Sequence, residues 1–158
     1  MYYTLQAPTY VPYQGYPGHF ARSEDMVLNL ILQSIAGERN DELFYQELIR
    51  LAPTEKEKEV ITGIRDDERK HNQMFRNIYT QLTGTSPTGI EATEPIEHVS
   101  DYLSGIENAL FGELKAFEKY RTLYLNIRPV YRNMIFEIMT DEIKHASYYN
   151  WLYAKNKS

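Results

Sequence analysis

Two short runs carry residues that could do chemistry. Asp66–His71 reads DDERKH, and Thr140–His145 reads TDEIKH. Each holds a glutamate followed three residues later by a histidine. That spacing puts Glu68 with His71, and Glu142 with His145, on one side of a helix, able to reach one ion. Glutamate and neutral histidine suit iron or manganese. The chain has no cysteine, which removes disulfides, thiolate-bound zinc, iron–sulfur clusters and thiol catalysis. Carboxylates and four histidines remain as metal donors. Asp67 lies four residues before His71, and Asp141 four before His145. Each aspartate is expected to accept the other ring N–H of the histidine on its own helix and so fix its tautomer.

Four helices would position these groups, at about 23–51, 54–82, 94–126 and 129–155. Pro53, Pro87, Pro95 and Pro129 all fall between them, where proline is tolerated. Ser23 reads as an N-cap with acids in the following turn. Thr54 with Glu57 reads as a capping box, and Thr93 with Pro95 as a third helix start. Apolar residues recur at alternating steps of three and four, the mark of a core-facing stripe. In the second helix the stripe is Ile61, Ile64, Glu68, His71, Phe75, Ile78 and Leu82. In the fourth it is Tyr131, Ile135, Ile138, Glu142, His145, Tyr149 and Leu152. The first and third stripes are interrupted near their middles by Glu38 and Glu113. Glu42 lies next on the first stripe, either as an extra acid near the site or turned outward.

The chain also repeats itself. AGERNDELFYQEL (36–48) aligns with FGELKAFEKYRTL (111–123), and DERKH (67–71) with DEIKH (141–145), at offsets of 75 and 74. This looks like a duplicated helical hairpin. Short connections make each pair antiparallel. Counted from either turn, the glutamates lie ~14–15 residues away, ~20 Å along the axis. Four glutamates therefore converge at the middle of one bundle. Unpaired, each buried ion would cost several kcal/mol; two divalent cations balance all four. Tyr45 and Tyr120 follow their glutamates by seven residues. They are either hydrogen-bonded to the site, as neighbours or redox relays, or ordinary core tyrosines. The linker 83–93 is long enough to carry the chain most of the way back along the bundle, ~36 Å extended.

Residues 1–21 differ in composition, holding five of 14 Tyr and three of seven Pro. They are expected to form an arm, with residues 22–158 as the helical domain. A net charge of −5 gives no nucleic-acid footprint. No apolar run reaches the roughly 18 residues of a membrane span, and the first residues lack the pattern of a secretory signal. Absence of cysteine fits a cytoplasmic protein.

One Glu, then Glu-x-x-His, then the same again on four helices resembles the ferritin-like dimetal-carboxylate proteins. The form of the repeat is most similar to their rubrerythrin-like branch, over residues 23–155. The resemblance implies an all-α, antiparallel four-helix bundle of two repeated hairpins joined by a long crossover. It implies a metal pair held by Glu38, Glu68, His71, Glu113, Glu142 and His145, with Glu68 and Glu142 bridging and Glu38 and Glu113 terminal. Two iron ions are the implied cofactor, with manganese as the alternative. The implied activity is that of a non-haem di-iron or dimanganese oxidoreductase that reduces H2O2 or O2 or oxidises Fe(II), in oxidative stress or iron handling. Iron storage or a structural coat is the alternative reading. O2 or H2O2 as oxidant, an external electron donor and a homodimer or larger homo-oligomer are the implied partners. Two departures stand out. The cysteine-rich rubredoxin domain of full rubrerythrins is absent from this sequence, and Ala116 stands where rubrerythrins carry a second third-helix glutamate. The six-residue set equally resembles bacterioferritin or manganese catalase.

Overall fold

The computed structural model describes residues 17–90, 99 and 101–157, with side chains from Glu24 onward. Helix α1 spans Pro17–Leu51, α2 Glu55–Thr83, α3 Tyr102–Asn126 and α4 Arg132–Asn156, with a 3-10 turn at Pro129–Tyr131 leading into α4. Residues 1–16 of the expected arm lie outside the described residues. Its last residues, from Pro17, belong to α1 instead. The helix therefore runs through Ser23, which is not its N-cap. Pro17 occupies the first helical position, where its missing N–H is no loss.

Short connections produce antiparallel hairpins, α1 with α2 and α3 with α4, and these are the two most extensive packing partnerships. At the first turn Thr54 caps α2 by accepting from the Glu57 N–H at 3.3 Å. The rest of the expected box differs. The Glu57 carboxylate accepts from Lys155 Nζ at 2.6 Å, Tyr102 OH at 2.8 Å and Asn156 Nδ2 at 3.1 Å. Although its side chain is only 1% exposed, Glu57 is fully engaged. It pins the start of α2 to the start of α3 and the end of α4. Burial alone would raise its pKa, but these donors outweigh that and hold it below the usual carboxylate value.

That three-way contact shows where the crossover delivers the chain. Helix α2 ends at Gly84, whose left-handed φ of 74° lets its N–H close on Thr80 O. The chain then returns along the bundle to begin α3 beside the start of α2. The third helix starts at Tyr102, not near residue 94. Asp101 is the cap, accepting from Ser104 N at 2.9 Å and Ser104 Oγ at 2.7 Å. Thr93 and Pro95 lie outside the described residues. Between the end of α2 at Thr83 and the start of α3 at Tyr102 the sequence is longer than the expected 83–93 linker, and α2, at ~1.5 Å per residue, is ~43 Å long. One close approach fixes this end: a side chain at Gly105 would come within 2.5 Å of Leu48 Cδ2 and 2.7 Å of Val99 Cγ1.

Contacts across the bundle also run in opposite directions. Between α2 and α4, Glu57 meets Lys155, Asp67 meets His145, and Lys70 meets Glu137. Between α1 and α3, Tyr45 meets Glu113 while Tyr120 meets Glu38. The interior divides into two apolar blocks. One centres on Ile31, Ile35, Phe75, Leu123, Ile135 and Ile138; the other on Leu48, Ile61, Ile64, Ile106, Tyr149 and Leu152. The charged layer lies between them. Among the described residues no helix is long and apolar enough to cross a membrane.

Candidate metal centre

Each helix supplies its stripe residue at the level predicted by counting from the turns. Glu38, Glu68, Glu113 and Glu142 are 1–2% exposed, and His71 and His145 are 0% exposed. Their donor atoms form two groups that could each hold a metal ion. Glu38, Glu68, His71 and Glu142 make one; Glu68, Glu113, Glu142 and His145 make the other. Within each group the donor atoms lie within 4.8 Å of one another. Glu68 and Glu142 belong to both.

Both histidines turn Nδ1 inward. His71 Nδ1 lies 3.3 Å from Glu142, and 3.5 Å from both Glu38 and Glu68. His145 Nδ1 lies 3.1 Å from Glu68, 3.6 Å from Glu113 and 3.9 Å from Glu142. None of these approaches is a well-directed hydrogen bond. Glu38 Oε2, Glu68 Oε1, Glu142 Oε1 and both Nδ1 atoms are buried without a partner. Native interiors rarely leave such atoms unsatisfied. Five orphaned donors around one space fit a pair of cations.

The outer ring nitrogens correct one expectation. His71 Nε2 pairs with Asp141 at 3.3 Å, and His145 Nε2 with Asp67 at 3.0 Å. Each aspartate serves the histidine of the other helix, not its own. Antiparallel register explains the crossing. With Glu68 opposite Glu142, Asp141 is only about two residues in height from His71, ~3 Å. Asp67 is four residues from His71, ~6 Å along the same axis. Lys144 reinforces the crossing, bonding Asp141 at 2.6 Å and Asp67 at 3.0 Å.

Tyr45 donates to Glu113 Oε1 at 2.7 Å, and Tyr120 donates to Glu38 Oε1. Both tyrosines are thus hydrogen-bonded to the site, across the α1/α3 seam. Tyr149 is fully buried, its ring 5.3 Å from that of Tyr45. Glu42 turns away, into ion pairs with Arg39 and Arg69. Asp41 had no role in the sequence reading. Burial and the charges of Glu38 and Glu113, partly offset by Lys119, push it up to about 8. Its spacing three residues after Glu38 was the available signal.

Without metal the layer holds protons. Burial and the Glu38 charge raise Glu68 well above its usual range. Burial, then Glu68, does the same for Glu142. Burial pushes both histidines down, but the surrounding carboxylates outweigh it. His145 is raised to about 9 and His71 higher still. The His145 hydrogen bond is the main reason that Asp67 falls far below the usual carboxylate value.

A buried layer of four glutamates and two histidines, midway along a crossover four-helix bundle, defines a ferritin-like carboxylate protein. The Rubrerythrin family model matches residues 29–107, half of the sequence, and the chain belongs to that family. This match takes in Glu38, Glu68 and His71. The internal repeat supplies their counterparts Glu113, Glu142 and His145. No curated protein matches the chain.

Proposed function

We propose that the protein is a non-haem di-iron carboxylate oxidoreductase that reduces H2O2 or O2, or oxidises Fe(II). The two donor groups sharing Glu68 and Glu142 carry this reading. In it Glu68 and Glu142 would serve both ions, Glu38 with His71 would complete one position, and Glu113 with His145 would complete the other. A pair of irons bound there supplies reversible one-electron redox chemistry toward oxygen or peroxide. The chain's own groups set the conditions. Tyr45 and Tyr120 orient the terminal carboxylates and offer protons at Glu113 Oε1 and Glu38 Oε1. Asp67 and Asp141 hold each histidine with Nδ1 inward. The apolar blocks on either side keep bulk water from the layer. Continued turnover draws on an external electron donor. Cytoplasmic residence remains our reading, resting on the absence of cysteine.

Anaerobic protein loaded with Fe(II), mixed rapidly with H2O2 or with O2, tests the activity. We expect oxidation within seconds in the wild type and at least a hundredfold slower oxidation in Glu142→Ala. Equal rates in both would overturn the reading. Manganese in place of iron is distinguished by peroxide breakdown without a reductant.

A second reading, assembly for iron storage or a coat, is favoured by one surface. Phe111, Leu114, Leu125, Phe136, Ile143 and Trp151 are 39–65% exposed on α3 and α4. The repeat places Arg39, Arg50, Thr62, Arg69 and Asn77 opposite the last five. Thus at five of the six positions one hairpin is polar, three times arginine, where the other is apolar; Phe111 has Ala36 as its counterpart. The fractional exposures amount to roughly 500 Å2 of apolar side chain, within reach of the ~800 Å2 per partner of a standard interface. We assign this face to a second copy of the chain. Sedimentation should show a dimer or larger species, and Leu114→Glu with Ile143→Glu should give monomers. A wild-type monomer at tens of micromolar would remove the assignment.

A further inference from the structure

The two halves of the centre differ in how they meet solvent. A surface cleft of about 340 Å3 opens between α2 and α4, lined by Lys56, Val60, Gly63, Asp67, Lys144 and His145. It ends against the Asp67–Lys144 pair, which lies over His145 Nε2. The repeat supplies an internal control. At the offset of 74, Glu137 stands where the cleft has Gly63, and Lys70 where it has Lys144. On the His71 side, Lys70 and Glu137 join as an ion pair across α2 and α4. On the His145 side Lys144 has no acid at position 63 to meet, so it bonds Asp67 and Asp141. The aspartate over His145 is also the more exposed, 31% against 19% for Asp141 over His71.

Gly63 sits in the interior of α2, where glycine is unfavourable relative to alanine. Packing does not require it: a Cβ there would meet nothing within 4 Å. Close helix approach, the reason for Gly105, is therefore not the reason for Gly63. Its effect is to leave open the space that Glu137 and Lys70 span on the other side.

We infer that the Gly63 cleft is the solvent gate of the dimetal centre, through which divalent cations enter and leave the Glu113/His145 position. The Glu38/His71 position lies behind the Lys70–Glu137 pair and exchanges more slowly. Passage requires Lys144 to swing off Asp67 and the His145 ring to turn. The carboxylates of Asp67 and Glu59, both lining the cleft, offer the entering cation oxygen ligands on the way. This inference rests on the proposed dimetal centre.

The test is metal release. Protein loaded anaerobically with Fe(II) is mixed with excess 2,2′-bipyridine, and the coloured complex is followed with time. Wild type should release iron in two phases of equal amplitude. Gly63→Glu, which restores the acid opposite Lys144, should slow the fast phase at least tenfold. Glu137→Gly should speed the slow phase at least tenfold. Gly63→Ala, too short to reach Lys144, should keep the wild-type phases and controls for changes in helix stability. Two irons bound, with release that is monophasic or unaltered by Gly63→Glu, would overturn the gate while leaving the centre intact. Failure of wild type to bind iron would instead overturn the centre itself, and the gate with it.

Discussion

Asp67 touches the histidine of another helix, and that contact makes a residue-level prediction. Asp67→Asn should weaken metal binding by about 10–100-fold, acting on the His145 position. A double-mutant cycle by calorimetry should show coupling of Asp67 with His145 and near additivity of Asp67 with His71. Coupling within the helix instead would mean that the crossed pairs are not formed in solution. Protonation supplies a second prediction. His145 is raised to about 9 without metal, above its usual ~6.5. In the metal-free fold the charged ring thus contributes stability that is fully present below about pH 6.5 and lost as pH rises through about 9. A cation on Nδ1 must displace that proton. Metal uptake at pH 7 should release at least two protons per pair, one from each histidine, and affinity should fall as pH falls. Titration in buffers of different ionisation enthalpy counts the protons, and a count near zero would contradict the raised pKa values.

At the scale of elements, two glycines separate packing from propensity. Gly105→Ala drives a Cβ to 2.5 Å from Leu48 and 2.7 Å from Val99 and should cost about 1–3 kcal/mol. Gly63→Ala meets nothing and should stabilise by up to about 1 kcal/mol. Urea unfolding at constant m-value compares them; equal effects would show that the α3 start is not packed as described. The sequence made these elements partly legible. Glu38, Glu68, Glu113 and Glu142 could be placed at one level because helical rise is constant and the turns fix the origin. The α3 start could not, because Tyr102 reaches Glu57 on α2 while Leu48 and Val99 close on Gly105, contacts that spacing along one helix does not announce. Nor could the crossed aspartates, since spacing along one helix says nothing of the register between two. Glu57 looked like half of a local capping box and does keep Thr54 Oγ1 at 3.1 Å, yet its other partners Tyr102, Lys155 and Asn156 are distant in sequence.

For the whole molecule, the duplicated hairpin yields a near-symmetric interior and an asymmetric surface. Inside, the four glutamates, the two histidines, Asp67 with Asp141 and Tyr45 with Tyr120 form counterpart pairs, whereas Asp41 matches Ala116 and Tyr149 matches Phe75. Outside, Arg39, Arg50 and Arg69 of one hairpin stand where the other has Leu114, Leu125 and Ile143, and a cleft lies at Gly63 where the repeat has Glu137 paired with Lys70. A shared interior is what a pair of equivalent cations requires; on our proposals the divided exterior serves assembly on one face and access on another. All of this hangs on the layer holding two metals. Elemental analysis of anaerobically purified and reconstituted protein, beside Glu38→Ala, Glu68→Ala and Glu142→Ala, tests that most directly. We predict two iron ions per chain in the wild type, about one in Glu38→Ala, and loss of both when Glu68 or Glu142, the residues shared by the two donor groups, is removed. No metal in the wild type after reconstitution, or two retained in Glu68→Ala and Glu142→Ala, would contradict the account.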